Sequence, residues 1–302
     1  MSYRLKAQES LPKGIKRIAT EEVAKAIADF NQIEELGINV AVHQARKRLK
    51  KTRAVIRLVR DRLGKKTYKS ENARLRDLGR NLANLRDLRV QIETLDNLVA
   101  YFDTVEPETF TDIRRELRVD YRQEYQKIVN EDVTKAIVKQ LEESKTEIDN
   151  WSIGSDDWST VDKSLKRVYQ RGSKALHQVI SQPAAENFHD WRKRVKYLRY
   201  QLTILAPIWT EVIENYVAQT HHLTDCLGEE HDLAVLQELV TDQPERFNRD
   251  NKLSVLTTLI DRRRQELQST AIVLGQKIYA ENPENFVDRI GSYWEIWRAS
   301  SK

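Results

Sequence analysis

A histidine followed by basic residues at helical spacing occurs twice in this chain. His43, Arg46, Lys47, Lys50 and Arg53 are matched by His189, Arg192, Lys193, Lys196 and Arg199, each 146 positions later. At about 100° per residue, the first set together with Arg57 falls within an arc of about 120°, and the second set shares one arc with Tyr200. Apolar side chains take the adjoining face: Ala41, Val42, Ala45, Leu49 and Ile56 in the first copy, and Phe188, Trp191, Val195, Leu198 and Leu202 in the second. Each segment is therefore predicted to be a helix anchored by an apolar stripe, presenting a separate cationic ridge along about 15 Å of axis. Such a ridge suits a row of negative groups. Lys offers a rotatable donor, Arg a planar fork, and His a charge that titrates near neutrality.

Ordinary surface helices interleave Glu with Lys, whereas residues 43–57 contain no acid and residues 189–200 contain only Asp190. Like charges at i,i+4, as in Arg46–Lys50, Arg53–Arg57 and Arg192–Lys196, repel, so something must offset them. A bound polyanion is one candidate; an internal ion-pair network with Asp77, Asp87 or Glu93 is the other. The whole chain carries only +5, yet residues 43–89 hold 17 basic and 4 acidic side chains. A field that dense points to an anionic partner. Arg76, Arg80 and Arg86, with Arg74 and Arg89, are placed to add a third wall from the next helix. Nucleic-acid readers normally add exposed aromatics for stacking. Tyr200 is the one aromatic on either ridge, which favours a polyanion without bases over the alternative, an RNA-binding module.

These ridges need helices to hold them. With 9 Gly and 6 Pro in 302 residues, the chain has few turns, which argues against many short strands. Helices are expected near 20–35, 39–63, 70–102, 107–149, 157–181, 185–206, 209–240, 250–281 and 285–298. Gly37 and Gly64 suit helix C-termini, Pro107 and Pro183 suit helix starts, and Asp156 or Asp157 suits an N-cap. A second repeat aligns Arg86-Asp87-Leu88-Arg89-Val90 and Glu93 with His231-Asp232-Leu233-Ala234-Val235 and Glu238, at an offset of 145. Two blocks displaced together imply an internal duplication. The predicted fold is all-α, two four-helix bundles related by a pseudo-two-fold, with halves at 1–150 and 151–302 and the boundary in DNWSIGSDDWST (149–160).

Other chemistries find less support. A single cysteine, Cys226, excludes an internal disulfide framework and suits a reducing compartment; it reads as a small core residue. No apolar run reaches the roughly 20 residues of a membrane span, and the N-terminus has no apolar signal core. His189-Asp190 and His231-Asp232 invite comparison with a metal-dependent phosphohydrolase, but Asp87 aligned with Asp232 reads better as a helix-packing ion pair. His221 and His222 cannot point the same way on a helix. No G-x-S-x-G elbow occurs. Trp294 and Trp297 read as core, with an exposed partner site as the alternative. No catalytic residue, metal or cofactor is expected.

Four stretches resemble the CHAD domain, an α-helical family named for its histidines: VHQARKRLKKTRAVIRLVR (42–60), LRDLGRNLANLRDLRVQIETL (75–95), FHDWRKRVKYLRYQL (188–202) and LTDCLGEEHDLAVLQEL (223–239). SLPKGIKRIATEEVAKAI (10–27) looks like the usual start of that domain. The resemblance implies two four-helix bundles and non-enzymatic binding of inorganic polyphosphate on a central basic surface. Carried across, it implicates His43, Arg46, Lys47, Lys50, Arg53, His189, Arg192, Lys193, Lys196, Arg199 and Tyr200. A cytoplasmic location is expected, in keeping with the single cysteine, with association with polyphosphate granules left open. Family members often carry a fused triphosphate-tunnel metalloenzyme domain; none is expected in these residues, so that catalysis does not transfer. His231 stands where the first half has Arg86, with Glu229 and Glu230 upstream. The second half is therefore expected to contribute only its ridge.

Overall fold

The structure is a computed structural model that describes residues 3–130, 133–247 and 252–300. Among them there are helices and connecting turns but no strand. In chain order the helices are α1 (Leu11–Asn31), α2 (Ile33–Leu36), α3 (Ile38–Leu58), α4 (Arg60–Leu63), α5 (Lys65–Asn81), α6 (Ala83–Tyr101), α7 (Thr111–Asn130), α8 (Val133–Asp149), α9 (Asp162–Ser181), α10 (Ala185–Leu205), α11 (Thr210–Asp242), α12 (Pro244–Phe247), α13 (Lys252–Ile278) and α14 (Pro283–Ser300). Gly37 and Gly64 end α2 and α4 with φ of 76° and 75°, the left-handed backbone that glycine adopts without a Cβ penalty.

The expected boundaries shift where a local interaction decides them. α1 begins at Leu11 rather than near residue 20. Ser10 accepts a hydrogen bond from Lys13 N, and Leu11, Ile15, Ile18 and Ala19 are buried along its face. Neither Asp156 nor Asp157 caps α9. The Asp156 carboxylate instead accepts from Leu11 N at 2.7 Å and from Arg298, tying the central loop to the first and last long helices. Pro107 and Pro183 precede their helices, which start at Thr111 and Ala185. The region expected as one helix over 70–102 breaks at Leu82, between α5 and α6. The region expected over 107–149 is described as α7 and α8, and their junction lies outside the described residues. The 209–240 segment is a single helix of 33 residues.

α1 packs on α3 and α8; α9 packs on α10 and α14; α10 and α13 flank α11. Across the middle, α3 meets α10 and α6 meets α11. The core is continuous from Ile15 and Val55 to Trp191 and Trp294. The apolar stripes predicted for the two ridge helices are buried: Val42, Ala45, Leu49 and Ile56 on α3, and Phe188, Trp191, Val195, Leu198 and Leu202 on α10. Burial of side chains of this size stabilises by roughly 1.5–3 kcal/mol each, so these stripes fix the rotation of both helices. Gly275 on α13 lets Trp191 approach, since a Cβ there would overlap the Trp191 ring. Cys226 and Trp294 are buried and Trp297 packs against the core. No helix is long and apolar enough to cross a membrane among the described residues.

Candidate functional site

Because α3 and α10 bury their apolar stripes and touch, their basic ridges turn toward each other. Lys50 on α3 is near enough to Lys196 on α10 to lower the Lys196 pKa, and Arg192 lowers both. Neither forms an ion pair among the described residues. Burial is the largest influence on both. Added to it, Arg46 and Arg192 push Lys50 down to about 8, while Arg192 and Lys50 help hold Lys196 well below the usual lysine range. Four basic side chains from both halves therefore share one poorly solvated region.

Two carboxylates, Asp232 and Asp87, lie within reach of them. Asp232 on α11 is raised by burial, while Arg192, Lys196, Arg86 and Lys50 pull it the other way. It attenuates the field without cancelling it. Asp87, its counterpart in the sequence alignment, pairs with Arg46 at 3.2 Å. Arg46 also donates to the carbonyl of Leu82 at 2.9 Å, satisfying the chain where α5 ends. Arg192 has no such carbonyl, because α11 runs unbroken there. Its guanidinium lies over Gly228, and its buried Nε has no hydrogen-bond partner among the described residues. An unpartnered buried donor on a cation is costly, and an anion would relieve it.

Two histidines complete the second-half side. His189 Nδ1 and His231 Nδ1 are 3.1 Å apart, with ring centroids at 4.1 Å. Such an N–H···N contact needs at least one neutral ring. Burial, then His189 and Arg192, push His231 down to about 3; burial, then Lys193 and Arg192, lower His189. His43 is lowered by partial desolvation and by Arg86. The three rings thus enter neutral solution largely uncharged, as polar donors.

The remaining predicted residues divide by surroundings. Lys47 is exposed with no ion pair among the described residues, and Lys193 pairs with Asp190. Arg86 and Arg89 share Glu93, both at 2.9 Å. Arg76 and Arg80 share Asp77, at 2.8 and 3.5 Å. Arg53 donates to Asn72 at 3.2 Å, and Arg199 to the hydroxyl of Thr224 at 2.9 Å. Tyr200 is buried edge-on to Tyr3, under the Arg199 guanidinium, and so packs the N-terminal segment rather than opening onto the ridge. Arg57 lies against Tyr197 at 4.1 Å, away from Lys50. The internal ion-pair network thus exists in the first half but leaves Lys47, Lys50, Lys196 and Arg192 outside it.

Glu229 and Glu230, the acids upstream of His231, do not face the ridge. Glu229 pairs with Arg263 at 2.6 Å and buried Glu230 with Arg264 at 2.9 Å, both on α13. The second half therefore contributes more than its helical ridge, since His231 and Asp232 join the cluster from α11. The sequence contained that signal in the alignment of Arg86-Asp87 with His231-Asp232. His221 pairs with Asp225 at 2.6 Å on an exposed face. No group of three or more His, Cys, Asp or Glu side chains is placed to hold a metal ion among the described residues.

The arrangement defines an all-helical protein among the described residues. The family model for the CHAD domain matches residues 21–241, and the chain belongs to the CHAD family. Its fold is similar to PptA from Streptomyces chartreusis, with a TM-score of 0.63 and 12% identity over 90% of this chain and all of that one. It is also similar to the CHAD domain from the plant Ricinus communis, at 0.53 and 14% identity over 97% of this chain and 94% of that one. No curated protein matches the sequence.

Proposed function

We propose that this protein binds inorganic polyphosphate, without turning it over, on the surface where α3, α6, α10 and α11 meet. Family membership supports the ligand class. The single observation that carries the site is the convergence of Lys50 and Lys196, drawn from different halves, on Arg192, which disfavours the charged form of both while neither lysine has an ion pair among the described residues. A chain of phosphates relieves that repulsion and supplies an acceptor for Arg192 Nε. Lys47, Arg46, His43, His189 and Lys193 border the same track. The parallel packing of α1, α3 and α8 with α9, α10 and α14 supports descent of residues 1–150 and 151–302 from one duplicated bundle.

The test is charge reversal of Lys50 with Lys196 (K50E with K196E), assayed by calorimetric titration with polyphosphate and by circular dichroism. Loss of binding with helicity retained is expected; unchanged affinity contradicts the site. Wild-type affinity should fall steeply with salt, because each phosphate contact releases counterions. The burial of Tyr200 removes the aromatic platform an RNA reader would use. Polyphosphate should therefore displace RNA at equal phosphate concentration. Metal-dependent release of orthophosphate from polyphosphate would contradict the non-enzymatic reading.

A further inference from the structure

A second basic recess lies where α3, α4 and α5 meet α9 and α10. Five arginines line it: Arg57 on α3, Arg60 on α4, Arg167 and Arg171 on α9, and Arg194 on α10. No acidic side chain is among its lining residues. The recess is a shallow opening to solvent. These arginines lie on four different helices, so no single-helix periodicity points to them.

Their charges are unequally compensated. Arg167 makes two hydrogen bonds to Asp61, at 3.0 and 3.1 Å, and Ser164 adds a third to the same carboxylate. Arg57 is stacked on Tyr197 at 4.1 Å and Arg60 on Tyr68 at 4.7 Å. Stacking orients a guanidinium plane without neutralising it. Arg57 also donates to Asn72, a neutral partner, at 2.5 Å. Arg57, Arg60, Arg171 and Arg194 form no ion pair among the described residues. The charged form of Arg171 is disfavoured by desolvation and then by Arg194, Arg60 and Arg167. Helices from both halves thus hold four guanidinium groups outside any ion pair around one opening, two of them stacked on tyrosines, with Asp61 near enough to feel Arg60 and Asp190 near enough to feel Arg194.

We propose that this recess is a second anion site, holding one compact, multiply charged phosphate group between Arg171, Arg194 and Arg60. Guanidinium forks converging from several helices suit a group with oxygens on several sides better than a planar carboxylate. The phosphate comes from one of two sources, free pyrophosphate or the end of a linear chain. Arg57 and Lys50 are seven residues apart on one face of α3, about 10 Å along its axis. A chain lying on the central surface can therefore extend to this opening. The site itself does not depend on the central assignment.

Pyrophosphate titrated calorimetrically into wild type, R171A/R194A and K50Q/K196Q tests it. The recess variant should lose, or bind at least tenfold more weakly at, a pyrophosphate-binding step that both wild type and the central variant retain. Arg171 is exposed, so R171A alone, with unchanged helicity, should shift affinity in the same direction. A short linear polyphosphate and cyclic trimetaphosphate, which has no terminal group, separate the sources. If the recess takes chain ends, the recess variant loses affinity for the linear chain and not for the ring. If it takes free pyrophosphate alone, neither changes. Absence of pyrophosphate binding by wild type, equal binding by the recess variant, or loss confined to the central variant overturns the proposal.

Discussion

Arg46 and Arg192 occupy matching positions in the two ridges but meet different surroundings. Arg46 holds the Leu82 carbonyl and Asp87, whereas Arg192 lies over Gly228 with its Nε unpartnered. The cause is one backbone event. The first-half partner helix breaks at Leu82, exposing a carbonyl that a guanidinium can satisfy, and the second-half partner, α11, continues. A repeated motif therefore conserves charge and spacing, while the neighbouring helix decides whether that charge is used for packing or left for a ligand.

The largest expected effect tests the lysines that neither half neutralises. Lys50 titrates near 8 when folded, below the ordinary lysine value. The unfolded chain then binds more protons between those values, so stability rises with pH across that window and the full penalty is present below it. Lys50→Met should raise the unfolding free energy at pH 7 by up to roughly 3 kcal/mol, an advantage that fades toward pH 10, while weakening polyphosphate binding. Urea melts at two pH values check it; a destabilised variant would make Lys50 a packing residue. In the wild type, a bound polyanion favours charged Lys50, so binding should take up a proton, and affinity should fall as pH rises through 8 toward 10. Titrations in buffers of different ionisation enthalpy measure that uptake.

The arginine pair sharpens the comparison. Arg192→Ala should weaken polyphosphate binding tenfold or more with little change in melting temperature. Arg46→Ala should lose about 1–2 kcal/mol of stability, because it strips the Leu82 carbonyl and Asp87 of their donor, with a smaller loss of affinity. Reversed rankings in parallel melts and titrations would break the distinction between the halves. The smallest effect belongs to Gly228. A Cβ there would sit 3.8 Å from the Arg192 guanidinium, an ordinary contact. Gly228→Ala should therefore gain up to about 1 kcal/mol of helix stability and leave affinity within about twofold. A larger loss would mean that the guanidinium must reach the backbone itself.

Much of this was legible in the sequence. Helical periodicity placed the apolar stripes of the two ridge helices on their buried faces, because a stripe that must bury Trp191 or Leu49 leaves little rotational freedom. The glycines with positive φ were readable for the same local reason. The break at Leu82 was not, since nothing in its residue type forbids helix and a side chain 36 residues away stabilises the end. Tyr200 shared the arc of the ridge but is covered by Tyr3, from a segment with no periodicity linking it to α10. The arginine recess gathers single residues from separate helices, each unremarkable alone. Sequence reading found what one helix organises and missed what several helices assemble.

The central claim is that cations from both halves hold one phosphate chain. A crystal structure of the protein with a short linear polyphosphate tests it most directly. The account predicts phosphate density between Lys50 and Lys196, with an oxygen within hydrogen-bonding distance of Arg192 Nε. Density confined to one half, or absent from between the two lysines, would contradict it.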